Sequence, residues 1–274
     1  MSDQPTLLHV VCDYQAGGLE FGEIVNMLQF NLSNPHKVRI HPTEVPPLDT
    51  MAVGFVTAQH AFAPHKGRMF IYGNAAPRRG TDKAAKNNID EGIKYARLDN
   101  GVEMVNVYSE FAFGFVKEHI VEFRDILCPA EGSQFRSRDF FPERVCRLLD
   151  GDKSVLGKEL DVNDIPEIPH NMVAWTDGFG NIKTTMRKSD FKKMGLKVGQ
   201  KVQLILNGVS MLGVVAEGGF TVDRGVLAIN AGSSGYDDPF IEFFLRVHHI
   251  REKTAAPRFD YPEGGTEFEI KPLE

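Results

Sequence analysis

Near its start the sequence reads Leu7-Leu8-His9-Val10-Val11-Cys12-Asp13, an apolar run of strand length that stops at a carboxylate. The turn Ala16-Gly17-Gly18 follows, and from Phe21 onward the apolar side chains recur at helical spacing. This order predicts a buried strand, a loop and a helix. Such a unit is the usual beginning of an α/β domain.

The same alternation continues through the next part of the chain. Residues 38–41 have an extended pattern, Pro46-Pro47-Leu48-Asp49 predicts a turn, and residues 51–62 have the composition of an Ala-rich helix. Residues 69–72 then form another apolar run. We therefore predict an α/β domain with a mainly parallel sheet over residues 1–155, with ligands binding at the carboxyl ends of its strands.

The pattern changes after this domain. Residues 156–169 are polar and contain two prolines, which predicts an interdomain linker. Short strand-like stretches then follow at close spacing, and Asn207-Gly208 between two of them is a strong hairpin signal. Residues 170–274 are therefore predicted to form a small all-β barrel or sandwich domain.

Composition excludes several classes of protein. The 274 residues are 42% hydrophobic and 25% charged, as in an ordinary folded protein, and 31 Lys+Arg against 37 Asp+Glu give a net charge of −6. This acidic balance argues against a general nucleic-acid partner. The three cysteines have no Cys-x-x-Cys spacing, so no disulfide framework is expected.

The sequence also gives no sign of a membrane partner. Its first residues carry no basic segment, and no apolar run approaches the roughly 20 residues that cross a bilayer. We therefore expect a cytoplasmic protein.

Common catalytic motifs are absent: there is no phosphate-binding loop, no His-Glu-x-x-His helix and no Gly-x-Ser-x-Gly elbow. The nine histidines are scattered, so we expect no metal site. What remains is a set of short polar segments at predicted strand ends, beginning with Asp13. Taken alone, Asp13 is more simply explained as a turn or helix-capping residue.

Taken together and in order, these segments resemble the S-adenosylmethionine hydroxide adenosyltransferases and their fluorinase and chlorinase relatives. The turn Asp177-Gly178-Phe179-Gly180-Asn181 is similar to the Asp-x-Phe-Gly-Asn segment of that family. Asn230-Ala231-Gly232-Ser233-Ser234-Gly235-Tyr236 resembles its Asn-Ser-x-Gly-Tyr segment. In the first domain, Asp13 matches a strand-end Asp, residues 98–101 match Pro-Asp-Asn-Gly, and residues 135–139 resemble Phe-His-Gly-Arg-Asp.

The resemblance implies substitution at the 5′ carbon of S-adenosylmethionine, with methionine leaving. S-adenosylmethionine is then the substrate, and no separate cofactor or metal is implied. Asp13 would hold the ribose hydroxyls, Phe179 and Asn181 would contact adenine, and Ser233 would contact the methionine end. Three further residues are predicted to bind the substrate: Leu48 in the second strand-to-helix loop, Asn74 after the third predicted strand, and Ser234 beside Ser233.

The resemblance also implies a homotrimer, in which the nucleoside pocket lies between the first domain of one subunit and the second domain of a neighbour.

The residues at the positions that handle the attacking water in the hydrolases differ in this sequence. Tyr72 stands where the hydrolases have an Asp, and Arg136 stands at the position of their His. One of Arg78 and Arg79 retains the Arg of the same loop, while Ser137 matches a Ser of the fluorinase. These five residues are the predicted catalytic set.

Three functions remain open from the sequence. The first is an adenosyltransferase that uses water or hydroxide and yields adenosine and L-methionine. The second is a protein that binds adenosine or S-adenosylmethionine without hydrolysis, and the third is a halide-using, chlorinase-like enzyme. The motifs assigned to adenosine are retained, whereas the residues assigned to the nucleophile differ from those of the hydrolases. This combination is compatible with each of the three functions.

Overall fold

The computed structural model describes residues 4–75, 92–129, 133–247 and 253–273. The chain divides into two compact units, Met1–Glu167 and Ile168–Glu274. The segment interpreted as a linker from the sequence begins with a β-strand, Leu156–Glu159.

The first unit is built on a seven-stranded sheet in its described residues. Its strands and helices, in chain order, are β1 Thr6–Cys12, α1 Leu19–Asn31, β2 Val38–Glu44, α2 Thr50–Phe62, β3 Met69–Asn74, β4 Ile93–Leu98, β5 Glu103–Val107, β6 Ile120–Ile126, α3 Arg136–Asp139, α4 Phe141–Leu149 and β7 Leu156–Glu159.

The prediction of a mainly parallel sheet is wrong. The strand order is β2-β1-β3-β5-β4-β6-β7, and only the pairings among β2, β1, β3 and β5 are parallel. β4 pairs antiparallel with β5 and β6, and β6 pairs antiparallel with β7. The physical reason lies in the tight turn between β4 and β5, where Gly101 has a φ of 85° and its N–H donates to the Leu98 carbonyl oxygen. A turn this short joins antiparallel strands, whereas parallel strands require a long crossover.

The helices cover the parallel half of the sheet. On α1, Phe21, Ile24 and Leu28 are buried at helical spacing and join the core formed by β1, β3 and α4. α2 is buried along most of its length and packs against β3. Gly54 allows α2 to lie close to the segment that follows β5, since a Cβ there would lie 2.3 Å from the Phe111 carbonyl oxygen.

The second unit also has a seven-stranded mixed sheet in its described residues. Its elements are β8 Val173–Thr176, β9 Ile182–Arg187, α5 Lys188–Lys193, β10 Lys201–Leu206, β11 Val209–Val215, β12 Leu227–Ala231, β13 Phe240–Leu245, α6 Ala255–Arg258 and β14 Phe268–Pro272.

The strand order in the second unit is β14-β10-β11-β12-β13-β9-β8. β11 and β12 are parallel, because the chain crosses over between them, and the other pairings are antiparallel. An antiparallel bridge from Met172 to Glu267 joins the two ends of the sheet. The sheet of the second unit is therefore mixed, and the short helices α5 and α6 accompany it.

No helix within the described ranges has both the length and the apolar character required to cross a membrane.

Candidate functional site

Parallel strands in the first unit bring two of the predicted residues together. Asp13 directly follows β1, and Asn74 ends the neighbouring β3. The Asp13 backbone N–H donates to the Asn74 carbonyl oxygen over 3.1 Å. Both residues therefore lie at the carboxyl edge of the parallel strands, where ligands bind in sheets of this kind.

Leu48 joins the same edge through the loop between β2 and α2. Its backbone N–H donates to Asp13 Oδ2 over 3.0 Å. Leu48 has a φ of 64°, in the left-handed region that non-glycine residues rarely adopt. The next residue, Asp49, caps α2 by accepting a hydrogen bond from the Ala52 N–H over 2.8 Å. The cap and the Asp13 bond together fix the conformation of this loop.

Tyr72 is fully buried in β3. Asn74 Nδ2 donates to the Tyr72 hydroxyl oxygen over 3.3 Å. Burial raises the pKa of Tyr72 well above its ordinary value, and the neighbouring Cys12 and Tyr14 raise it further. The hydroxyl is therefore protonated at neutral pH and can donate a hydrogen bond, but it cannot accept a proton from water as a carboxylate does.

Arg136 is a buried cation with few polar partners. Arg136 is 9% exposed. Its Nη1 donates to the Pro129 carbonyl oxygen over 2.9 Å, whereas its Nε has no hydrogen-bond partner within the described ranges. The guanidinium lies over the rings of Phe140 and Phe141, at 5.3 and 5.6 Å from their centroids. Arg136 is thus packed inside the first unit.

The structure brings Ser137 close to the segment that follows β1. The Tyr14 hydroxyl donates to Ser137 Oγ over 3.5 Å, a long and weak hydrogen bond, and the Tyr14 ring packs edge-on against Phe135. Arg78 and Arg79, the remaining predicted catalytic residues, lie outside the described residues.

In the second unit, a cavity of about 790 Å³ brings together Phe179, Asn181 and Ser233. The side chain of Phe179 is 80% exposed, so its ring face is available for stacking. Ser234 lies in the same turn as Ser233, where its carbonyl oxygen accepts a hydrogen bond from the Phe240 N–H over 2.8 Å. That bond makes Ser234 part of the frame that holds the turn against β13.

Asp177 shapes the turn that presents the first two of these residues. Its Oδ1 accepts hydrogen bonds from the N–H groups of Phe179 and Asn181, over 2.9 and 3.0 Å. Its Oδ2 accepts a third from Asn181 Nδ2 over 3.0 Å. Gly180, with a φ of 79°, allows the chain to reverse between them. Because Nδ2 of Asn181 is engaged, its Oδ1 is the amide atom that faces away from Asp177.

The cavity wall also contains an ion-pair cluster that the motifs did not predict. Lys183 Nζ donates to Glu242 Oε2 and lies 3.5 Å from Asp177 Oδ2. Lys183 and Glu242 are 8% and 7% exposed. Two carboxylates beside one ammonium leave this part of the wall with a net charge of −1. Only the pairing of Lys183 with Glu242 across β9 and β13 brings them together, and no local sequence signal indicates it.

Two further residues of the wall had no predicted role, although Asn230 begins one of the matched segments. Asn230 is 5% exposed, and Phe220 is 77% exposed with its ring 5.2 Å from that of Phe244. The cavity therefore combines exposed aromatic rings with a wall rich in hydrogen-bond acceptors, which suits a flat ring system that carries N–H donors. In the described part of the chain, no three His, Cys, Asp or Glu side chains are placed to hold a metal ion.

No known family and no curated protein matches this sequence. The chain is similar in structure to an uncharacterized conserved protein from Thermotoga maritima, with 19% identity, a TM-score of 0.71 and coverage of 96% of this chain and 99% of that one. It is also similar to a conserved hypothetical protein from Thermus thermophilus, with 16% identity, a TM-score of 0.64 and coverage of 98% and 100%. These similarities establish the fold. They extend over both compact units.

Proposed function

We propose that this protein is an adenosyltransferase that acts on S-adenosylmethionine with water or hydroxide and releases adenosine and L-methionine. One observation carries the proposal: a single cavity gathers Phe179, Asn181 and Ser233, the residues that the resemblance assigns to adenine and to the methionine end. The residues lie in two separate motifs about 50 positions apart, so their convergence is not a consequence of the sequence spacing.

The adenine ring would stack on the exposed face of Phe179. Aromatic stacking of this kind accepts any base, so selectivity requires polar groups beside it. The side-chain amide of Asn181 provides such polar groups, and its hydrogen bond to Asp177 holds it in one orientation. Such preorganisation lowers the entropy lost when the ligand binds.

Asp13 would bind the ribose. Its Oδ2 accepts a hydrogen bond from the Leu48 N–H, and a carboxylate can accept several hydrogen bonds at once. Two ribose hydroxyls on adjacent carbons would donate to this carboxylate. Asn74 and Leu48 are both hydrogen-bonded to Asp13 and would contact the sugar at the same edge of the sheet.

The reaction needs little acid chemistry. The water oxygen forms a bond to the 5′ carbon while the bond from that carbon to sulfur breaks and its electron pair stays on sulfur. Methionine leaves as a neutral thioether, and the attacking water loses a proton to solvent. The protein's contribution is to align the water with the carbon–sulfur bond and to restrict competing solvent. Tyr72, whose hydroxyl is protonated, would orient the nucleophile as a hydrogen-bond donor.

A second candidate function is ligand binding without turnover. The buried guanidinium of Arg136 and the protonated hydroxyl of Tyr72 replace groups that handle water in the hydrolases, which favours this alternative. A third, halide attack, draws on the Ser137 hydroxyl and on Tyr72, since the resemblance also gives the halogenases a Tyr at that loop position. The same assay separates all three.

The assay incubates the full chain with S-adenosylmethionine, with and without chloride, and separates the products by chromatography. Adenosine and methionine in equal amounts are expected, and 5′-chloro-5′-deoxyadenosine would indicate the halide-using alternative. Asn181→Ala should abolish product formation, whereas Asn163→Ala, an exposed Asn in the first unit, should not. Adenosine binding without any product would refute the enzymatic function and support the binding function.

We further propose a cytoplasmic homotrimer in which neighbouring subunits complete each site. The exposure of Phe179 supports this, since a large exposed aromatic ring beside a cavity is often covered by a partner. Co-expression of Asp13→Ala and Asn181→Ala chains tests it. If the two residues come from different subunits, random assembly restores about a quarter of the sites. If one subunit supplies both, the mixture stays inactive.

A further inference from the structure

Three buried polar residues of the second unit form a row across adjacent strands. Asn230 on β12 pairs with Glu242 on β13, and Glu242 pairs with Lys183 on β9. Directly paired residues of antiparallel strands project from the same face of the sheet. All three side chains therefore belong to one wall, and all three line the cavity.

The Asn230 amide has a defined orientation and an unused acceptor. Its Nδ2 donates to the Ala231 carbonyl oxygen over 2.9 Å, so Oδ1 is the amide atom that this bond leaves unused. Oδ1 is shielded from solvent and has no hydrogen-bond partner within the described ranges. A buried acceptor without a donor destabilises a fold, because the group loses its hydrogen bonds to water and gains none in return. A ligand that supplies a donor would remove this cost.

The neighbouring side chains do not supply that donor. The Lys183 ammonium is directed at Glu242 and Asp177. Glu242 contributes only acceptors when ionised. The wall consequently has a surplus of acceptors and negative charge, so the matching ligand group carries N–H bonds.

We propose that Asn230 is a specificity-determining residue whose Oδ1 accepts a hydrogen bond from an amino group of the bound ligand. This inference rests on the proposed function, whose substrate offers two such groups: the exocyclic amino group of adenine and the α-amino group of methionine. A binding site built around a buried acceptor rejects analogues that lack the donor.

Calorimetry with the full chain tests the proposal in two comparisons. One compares adenosine with purine riboside, which lacks the exocyclic amino group. The other compares S-adenosylmethionine with its analogue that lacks the α-amino group. In one of these pairs, the analogue should bind about tenfold more weakly. Asn230→Ala should bind both members of that pair equally, and the pair affected identifies which amino group is recognised.

Asn163→Ala is the matched control and should keep the full difference. Asn230→Leu, which keeps the branched side-chain skeleton without its polar atoms, serves as a second variant if Asn230→Ala fails to fold. Equal affinities within both pairs for the unaltered chain would overturn the inference and leave the proposed function standing. So would a difference that persists in the folded Asn230 variants. A chain that binds none of the ligands would instead refute the proposed function, and the inference with it.

Discussion

The backbone N–H of Leu48 donates a hydrogen bond to the Asp13 carboxylate over 3.0 Å. This contact links the end of β1 to the loop between β2 and α2, and it holds Leu48 at a φ of 64°. A left-handed conformation costs about 1–2 kcal/mol for a residue with a side chain. Asp13 therefore stabilises a strained loop in addition to the ribose-binding role that we propose for it.

Asp13→Ala should weaken adenosine binding by about 1.5–3 kcal/mol, because it removes charge-assisted hydrogen bonds to the ribose hydroxyls. Isothermal calorimetry measures this change. Asp49→Ala is the control, since Asp49 caps α2 in the same loop. It should lower the free energy of unfolding by about 1 kcal/mol and leave adenosine affinity intact. Equal affinity of Asp13→Ala and the unaltered chain would exclude Asp13 from the pocket.

The strain at Leu48 is measurable through two substitutions. Leu48→Gly and Leu48→Ala both remove the half-exposed side chain, but only glycine adopts a positive φ without steric cost. We expect the Gly variant to be more stable than the Ala variant by about 1 kcal/mol in denaturant unfolding. Equal stability of the two variants would mean that the left-handed conformation is not strained in solution.

Lys183 should be much more important for stability than a surface lysine. Lys183→Met leaves the buried Glu242 and the partly buried Asp177 without their counter-charge and should lower the free energy of unfolding by about 3–5 kcal/mol. The double variant Lys183→Met/Glu242→Gln removes a charge of each sign and should recover part of that loss. Denaturant unfolding of the two variants gives the comparison. A double variant less stable than Lys183→Met would contradict this account.

Three stacked imidazoles make the first unit sensitive to acid. The His9 ring lies 4.1 Å from that of His60 and 5.4 Å from that of His41. Burial, followed by the proximity of His60 and His41, lowers the pKa of His9 from 6.5 to about 4, and burial also lowers the pKa of His60. The unfolded chain therefore binds more protons than the folded chain between these values.

The stability contributed by neutral His9 is fully present above pH 6.5 and is lost as the pH falls toward 4. His9→Phe keeps a flat ring in the stack and should reduce the slope of unfolding free energy against pH in this window. His36→Gln, at an exposed position outside the stack, should retain the original slope. Denaturant unfolding between pH 7 and pH 4 measures both. An unchanged slope in His9→Phe would show that another group causes the acid sensitivity.

Local sequence patterns predicted the positions of many elements but not the direction of every strand. The apolar runs at residues 7–12 and 69–72 coincide with β1 and β3, and both helices between them, α1 and α2, were also predictable. β4 and β5 pair antiparallel around Asn100-Gly101, a known hairpin signal. Strand direction depends on this connection and on pairing with residues that are distant in the sequence. The alternation of strands and helices in the first 75 residues carries no information about either.

The candidate site shows the same division. Phe179, Asn181 and Ser233 lie in recognisable Gly-rich turns and could be selected from the sequence. Lys183 and Glu242 are 59 residues apart, and each looks like an ordinary charged residue on a strand. They become neighbours only through the register of β9 and β13. That register is determined by packing of the whole sheet, so no local sequence pattern predicts it.

The bridge between Met172 and Glu267 has a consequence for self-association. Open sheets end in strands with unpaired N–H and C=O groups, which can template pairing with other chains and lead to aggregation. In the second unit, the Phe268 N–H donates to the Asn171 carbonyl oxygen, and the Val173 N–H donates to that of Thr266. These bonds engage the first residue of each outer strand, β8 and β14, within the same molecule. The closure thereby leaves less unpaired edge for edge-to-edge polymerisation.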